Sequence, residues 1–301
     1  MALGPSILLG LALRTRLRAT FDGEHTPLVS VVIATYNWSN VLRYAIASAL
    51  AQTYPRLEIV VVGDGCTDDS EQVVASFQDE RVRWHNLPEN SGSQSMPNNV
   101  GIGLARGEFI AYLGHDDVWL PSHLALVLNA VVASGADVGY AVTEQVGPRG
   151  SGYRGLRGVF ADDPPPPPSS LVHRAGLTDE IGPWRDYREI IEPPDVDFVD
   201  RARRHGAGFA PSGALTVFKF NSALRRNSYI EKPCEDQARW SRRMREERGF
   251  LVRELVALAF ALVRAQFRSP WKRMPQTPEP PDPLPRGWHV TQWRRIRGLE
   301  K

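Results

Sequence analysis

Val29-Ser30-Val31-Val32-Ile33-Ala34 is a β-branched run, apolar almost throughout. A strand of that texture is buried on both faces, as in a parallel sheet covered above and below by helices. Thr35-Tyr36-Asn37 ends it. Leu42, Ala45, Ile46, Ala49 and Leu50 follow at helical spacing, with Ser39 or Asn40 available as cap. Leu57 to Val62 is a second apolar strand, broken by the turn signal Gly63-Asp64-Gly65. Ser70 to Phe77 reads as helix, Val82 to Trp84 as a short strand, and Asn98 to Ala105 as helix. Phe109 to Leu113 is another buried strand, ending at Gly114-His115-Asp116-Asp117. Helix resumes near Pro121, a residue suited to a first turn, and Asp137 to Val142 is a further strand. The alternation predicts an α/β class with a mostly parallel central sheet and helices on both faces. Ligands on such sheets bind beyond the carboxyl ends of the strands. Thr35-Tyr36-Asn37, Gly63-Asp64-Gly65 and His115-Asp116-Asp117 all fall there.

The 301 residues suit one large domain or two modest ones. A net charge of +2 gives no global field to attract nucleic acid. Two cysteines, Cys66 and Cys234, make no disulfide framework, which fits a reducing cytosol. The N-terminal segment, 1–26, opens apolar and carries Arg14, Arg16 and Arg18 after the apolar run. That order is wrong for a secretory signal, and the run is shorter than the roughly 20 residues of a membrane span. Here and at Leu255 to Val263 the expectation is a packed helix. Peripheral contact with the inner face of the cell membrane is the alternative. Residues 27–146 read as a ligand-binding half and 147–183 as a Gly- and Pro-rich mobile loop, whose Pro164 to Pro168 run predicts extended, non-core chain. Residues 184–270 regain ordered texture, with a helix over Asp195 to Arg204 and a strand over Ala214 to Phe220. A Pro-rich and basic tail, 271–301, follows.

Asp116 and Asp117 sit directly after a buried strand, where adjacent carboxylates repel and are costly to desolvate. A hard divalent cation resolves both problems and leaves most of its shell open for a diphosphate. The chain has no P-loop, so a metal is the expected phosphate holder. The bland alternative is a helix cap for the segment near Pro121. Asp64 in its glycine-flanked turn can accept from a base N–H, which suits uracil, and Tyr36 can offer a ring to the same base. Otherwise Asp64 is a turn residue bonding its own backbone.

These residues carry a resemblance. Pro27 to Asn37, Ser48-Ala49-Leu50-Ala51-Gln52-Thr53-Tyr54, and Glu58 to Asp68 resemble family 2 glycosyltransferases of the GT-A fold. Asn90-Ser91-Gly92, Asn99-Val100-Gly101-Ile102 and Ala105 to Leu113 extend the likeness to the Asp-Asp pair, over roughly residues 27–145. The resemblance implies an inverting, metal-dependent transfer of a sugar from a nucleotide-sugar, a UDP-sugar by the Asp64 argument. The acceptor would be the hydroxyl of a glycan, a lipid-linked compound or a small molecule. Ala34, Thr35, Tyr36, Asp64 and Asp116 would bind the donor. Asp117, with Asp116, would hold Mn²⁺ or Mg²⁺. Three positions depart from the family: Gly63 for a frequent Asp, Cys66 for Ser, and Asn98 for Arg.

Inversion also needs a general base, which in this family is an Asp beginning an acceptor-side helix. Asp195, followed by Ala202-Arg203-Arg204-His205-Gly206, is preferred over Asp236, which sits in a literal Glu235-Asp236 pair late in the chain. Each could instead be a helix N-terminal carboxylate favoured by the dipole. Two rival functions remain: a non-catalytic nucleotide-sugar-binding module, and a nucleotidyltransferase, disfavoured by the lack of a basic Gly-rich loop after the first strand.

Overall fold

The computed structural model describes residues 5–151, 153–159, 165–221, 224–267 and 278–300. After helix α1 (Pro5–Arg14), the apolar runs fold as anticipated into β1 (Val29–Thr35), β2 (Leu57–Gly63), β3 (Val82–Asn86) and β4 (Phe109–Tyr112). β1 lies between β2 and β4, β3 flanks β2, and all these pairs are parallel. Odd-numbered Val29, Val31 and Ile33 pack with Leu42, Ala45 and Ile46 of α2 (Ser39–Leu50) and with Leu124 and Leu128 of α5 (His123–Ser134). Even-numbered Val32 faces the opposite core with Ile110, Tyr112 and Phe198. Val60 and Val62 meet Val100 and Leu104 of α4 (Ser95–Leu104). Both faces are therefore covered, which is why these strands carry almost no polar alternation. The short α3 (Ser70–Ala75) packs beside α2. The candidate caps Ser39 and Asn40 lie inside α2, which begins after Trp38 without a side-chain cap.

Beyond β4 the sheet turns mixed. Its order is β3-β2-β1-β4-β8-β6-β9-β5, with β7 paired to β6. β5 (Val118–Trp119) pairs antiparallel with β9 (Phe209–Lys219), and β6 (Val138–Val146) is parallel to β9. β8 (Leu171–Arg174) sits between β4 and β6, antiparallel to both. The assignment of 147–183 to a mobile loop is thus corrected. It contains β7 (Arg154–Arg157), the central strand β8 and α6 (Leu177–Ile181). Pro166 to Pro168 are buried, so the described part of the proline run belongs to the core after all; Pro164 lies outside the described residues. An extended proline stretch needs no backbone donors, so it can lie inside the fold without orphaning N–H groups.

α7 (Pro194–His205) covers the β4–β8 region, stacking Phe198 on Trp184 at 4.6 Å. α8 (Ser228–Glu231), α9 (Glu235–Glu246) and α10 (Phe250–Phe267) follow β9. Leu11 of α1 and Leu258 of α10 are buried in one cluster, so both apolar segments pack as helices. Val252, Val256 and Phe260 of α10 remain exposed. Among the described residues no helix is long and apolar enough to cross a membrane. The basic end of the chain is helix α11 (Trp288–Arg297). It is docked on the body, which corrects its assignment to a separate tail.

Gly101 shows how closely α4 approaches the sheet. A Cβ there would lie 2.4 Å from Val32 Cγ1, a stiff, fully buried β-branched side chain. Gly103 on the same helix has open space. Gly101→Ala is expected to destabilise the protein by about 1–3 kcal/mol through overpacking. Gly103→Ala is expected to stabilise it by up to about 1 kcal/mol through helix propensity. Urea unfolding measures both, and equal effects would contradict the close approach.

Candidate active site

A cavity of about 410 Å³ opens beyond the carboxyl ends of β1, β2 and β4. Its wall includes Ala34, Thr35, Tyr36, Asp64, Asp116 and Asp195. The structure therefore brings together all the donor-side residues read from the sequence and the preferred base.

Asp64 follows β2 and is 4% exposed. Its carboxylate accepts from Asn90 Nδ2 at 2.9 Å, Ser91 N–H at 2.9 Å and Gly92 N–H at 3.3 Å. Burial pushes its pKa up, against the N–H bonds of Ser91 and Gly92. A carboxylate has about four acceptor positions, so roughly one is left for the cavity. Asp64 thus shapes the 90–92 loop as well as facing the ligand space. The departures from the family are explained locally. A Cβ on Gly63 would meet Trp84, so a side chain there has no room. Cys66 fills its turn with sulfur bonds, accepting from Asn37 N–H at 3.4 Å and donating to Thr35 O at 3.6 Å. Asn98 keeps a polar amide on the cavity wall.

The adjacent carboxylates divide. Asp116 faces the cavity, and its side chain makes no hydrogen bond or ion pair among the described residues. Burial favours its neutral form, but the neighbouring His115, then Lys219 and Arg297, outweigh that and hold its pKa below the usual carboxylate range. Asp117 points the other way, with a fully buried side chain. It accepts from Lys219 Nζ at 2.9 Å, Ser169 Oγ at 2.5 Å and Phe220 N–H at 3.2 Å. Burial works against the charge on Lys219, but Asp117 and Asp116 raise its pKa and keep it protonated. Asp117 is therefore placed as a buried brace, and the geometry does not offer it to a metal as the sequence reading expected. His115 is no ligand either. Its Nδ1 lies 3.0 Å from Thr35 Oγ1 and its Nε2 3.2 Å from Tyr229 Oη. Burial pushes its pKa down, so it links the two hydroxyls as a neutral ring.

Asp195 lies in the first turn of α7 and lines the cavity. Burial pushes its pKa up, against its own and Val196's backbone N–H groups and the positive charge of Lys219. The helix is fixed in place by Asp197, bonded to Arg201 at 2.8 Å, while Arg201 Nη2 donates to Pro183 O at 2.8 Å. Asp236 is not on the cavity wall. It is paired with Arg225 at 2.8 Å. Its neighbour Gln237 donates to Asp116 O at 3.0 Å, so α9 supports the site from behind.

Sequence reasoning missed Lys219, Tyr229 and Arg297. Lys219 had a signal, a lone cation inside the apolar run Leu215 to Phe220. Arg294 and Arg297 are three apart on one helical face, but nothing local says which surface that face meets.

The two carboxylates are expected to differ in stability tests. Lys219→Met strands a buried carboxylate and should cost roughly 3–5 kcal/mol. Asp116→Asn should cost far less, since it removes no formed bond. Comparable losses in chemical denaturation would contradict this division.

The sequence model described as Glycosyl transferase family 2 matches residues 30–178. An uncharacterized glycosyltransferase of Rickettsia typhi is 41% identical over 108 residues, 36% of this chain. The succinoglycan biosynthesis protein ExoO of Rhizobium meliloti is 39% identical over 115 residues, 38% of this chain. The matched stretch spans 33% of the length of each of these curated relatives. Among solved structures, S. aureus TarS 1–349 in complex with UDP-GlcNAc superposes with a TM-score of 0.54 at 20% identity, covering 80% of this chain and 73% of that one. At that identity the likeness carries the fold alone, an α/β GT-A arrangement. Residues 30–178, just under half of the chain, are thus similar to glycosyl transferase family 2.

Proposed function

We propose that this protein is an inverting glycosyltransferase that moves a sugar from a UDP-sugar to an acceptor hydroxyl with help from a divalent cation. The observation that carries the reading is the convergence of Asp64, Asp116 and Asp195 on one cavity at the strand ends. TarS has been solved with UDP-GlcNAc and with UDP, which supports a uridine donor here. The name of ExoO supports a glycan or glycan precursor as acceptor.

In this reading the free acceptor position of Asp64 takes the uracil N–H, and Tyr36 lies beside the base. The diphosphate lies toward Asp116. The donor set fits a hard cation through one protein carboxylate: Asp116 is ionised, unpartnered and cavity-facing. Among the described residues no cluster of three His, Cys, Asp or Glu could hold a metal by itself, so Asp116 would hold such a cation only together with oxygen ligands from outside the protein. Bound Mn²⁺ or Mg²⁺ supplies charge neutralisation for the leaving diphosphate. Asp195 accepts the acceptor's hydroxyl proton as that oxygen bonds to the anomeric carbon and the bond to the diphosphate breaks. Attack from the face opposite the leaving group inverts the anomeric centre. A non-catalytic binder would need no carboxylate at the position of Asp195.

Release of UDP from UDP-sugars in the presence of Mn²⁺ or Mg²⁺, with acceptor supplied, tests the reading. Asp195→Asn should retain UDP affinity and lower transfer by roughly 10²–10⁴-fold at saturating donor. Asp236→Asn should act much less. Loss of activity in Asp236→Asn with full activity in Asp195→Asn would reverse the assignment. The pH profile follows from the raised pKa of Asp195. The base works as the carboxylate, so lowering the pH protonates it and slows transfer. A pKa above the ordinary 3.8 moves that acid limb upward, and kcat should fall at a higher pH than a free Asp requires. An acid limb at or below the ordinary value would remove Asp195 as a buried base.

A further inference from the structure

The C-terminal helix reaches the cavity from both sides. At its start, Gly287 N–H donates to Ile190 O at 2.9 Å, ahead of α7. Near its end, Ile296 O accepts from Asn227 N–H at 2.8 Å. Between them, Arg294 Nη1 donates to Gly92 O at 2.6 Å, on the loop shaped by Asp64. α11 therefore connects the nucleoside end of the cavity to its acceptor side, and Trp293, Arg294 and Arg297 lie on the cavity wall.

The arginines of this helix are not equivalent. Arg294 is occupied by Gly92 O and by Glu300 at 2.5 Å. Arg295 is exposed. Arg297 makes no ion pair or hydrogen bond among the described residues, and its Nε is buried without an acceptor. A buried donor left unpaired costs about 1–3 kcal/mol, and more for a charged group. An acceptor from outside the fold, such as a bound anion or water, would satisfy it. A guanidinium presents forked donors that match phosphate oxygens. Its surroundings agree: the charge of Arg297 bears on Asp116, Asp195 and Tyr229, the groups around the middle of the cavity.

We propose that Arg297 is a ligand of the donor diphosphate, which makes the C-terminal helix a working part of the donor site. This rests on the nucleotide-sugar reading above. Charge that develops on the leaving diphosphate would then meet a cation fixed by the fold as well as a metal.

The test uses the full chain with UDP by calorimetry and uridine by ligand-observed NMR. Arg297→Ala should weaken UDP by roughly 10–100-fold, the scale of one lost charged hydrogen bond, and leave uridine unchanged. Arg297→Lys should restore part of the UDP affinity. Arg295→Ala should match wild type. Circular dichroism and a thermal melt verify that each variant is folded, and the lysine variant keeps the test usable if the alanine variant is not. Equal UDP affinity in wild type and Arg297→Ala would overturn the proposal. So would loss of uridine and UDP by the same factor, which marks a structural role. Wild type that binds neither UDP nor another nucleoside diphosphate would instead overturn the underlying functional reading.

Discussion

The buried carboxylate of Asp117 joins three stretches of chain that are far apart in sequence. It holds Ser169 from the segment before β8, Lys219 from the end of β9, and the backbone N–H of Phe220. A buried ion pair of this kind is weak evidence for net stability, but removing one partner is costly, so the arrangement is strongly specified. Its consequence is directional. With Asp117 turned into the fold, the preceding residue Asp116 is presented to the cavity, and Gln237 secures it by bonding its carbonyl. The cavity-facing carboxylate is thus positioned by a contact between the two halves of the molecule.

The same organisation sets the electrostatics. Three carboxylates face the cavity, and burial alone would neutralise each of them. The pKa of Asp116 is held low by His115, Lys219 and Arg297 nearby. The pKa of Asp195 is held up by burial, the direction that the proposed base role favours. Asp64 is also raised by burial, and its carboxylate is bound by its own loop. Different balances of burial and neighbouring charge therefore give three chemically identical groups three different environments, as the proposed division of roles requires.

Much of the parallel half was legible because a strand buried on both faces writes itself as an uninterrupted apolar run. β1, β2 and β4 fell within a residue or two of their predicted bounds. The polar clusters at their ends located the cavity for the same reason. The helix that carries Asp195 to the cavity wall was legible through its start. What stayed hidden depended on long-range pairing. Residues 147–183 read as loop because glycine and proline dominate them, yet β8 is held by β4 and β6, which supply its hydrogen bonds. The division of Asp116 from Asp117 was invisible because it is decided by Lys219 and Ser169, 102 and 52 residues away. The helix at Trp288 to Arg297 showed its charge in the sequence, but its docking surface is made by Gly92, Ile190 and Asn227.

A crystal structure of the full chain with UDP and Mn²⁺, with the metal located by anomalous scattering, tests the central claim most directly. The account predicts uracil beside Asp64, manganese at the Asp116 carboxylate, and Asp117 still bonded to Lys219. Manganese on Asp117 with Lys219 displaced, or UDP bound away from this cavity, would contradict it.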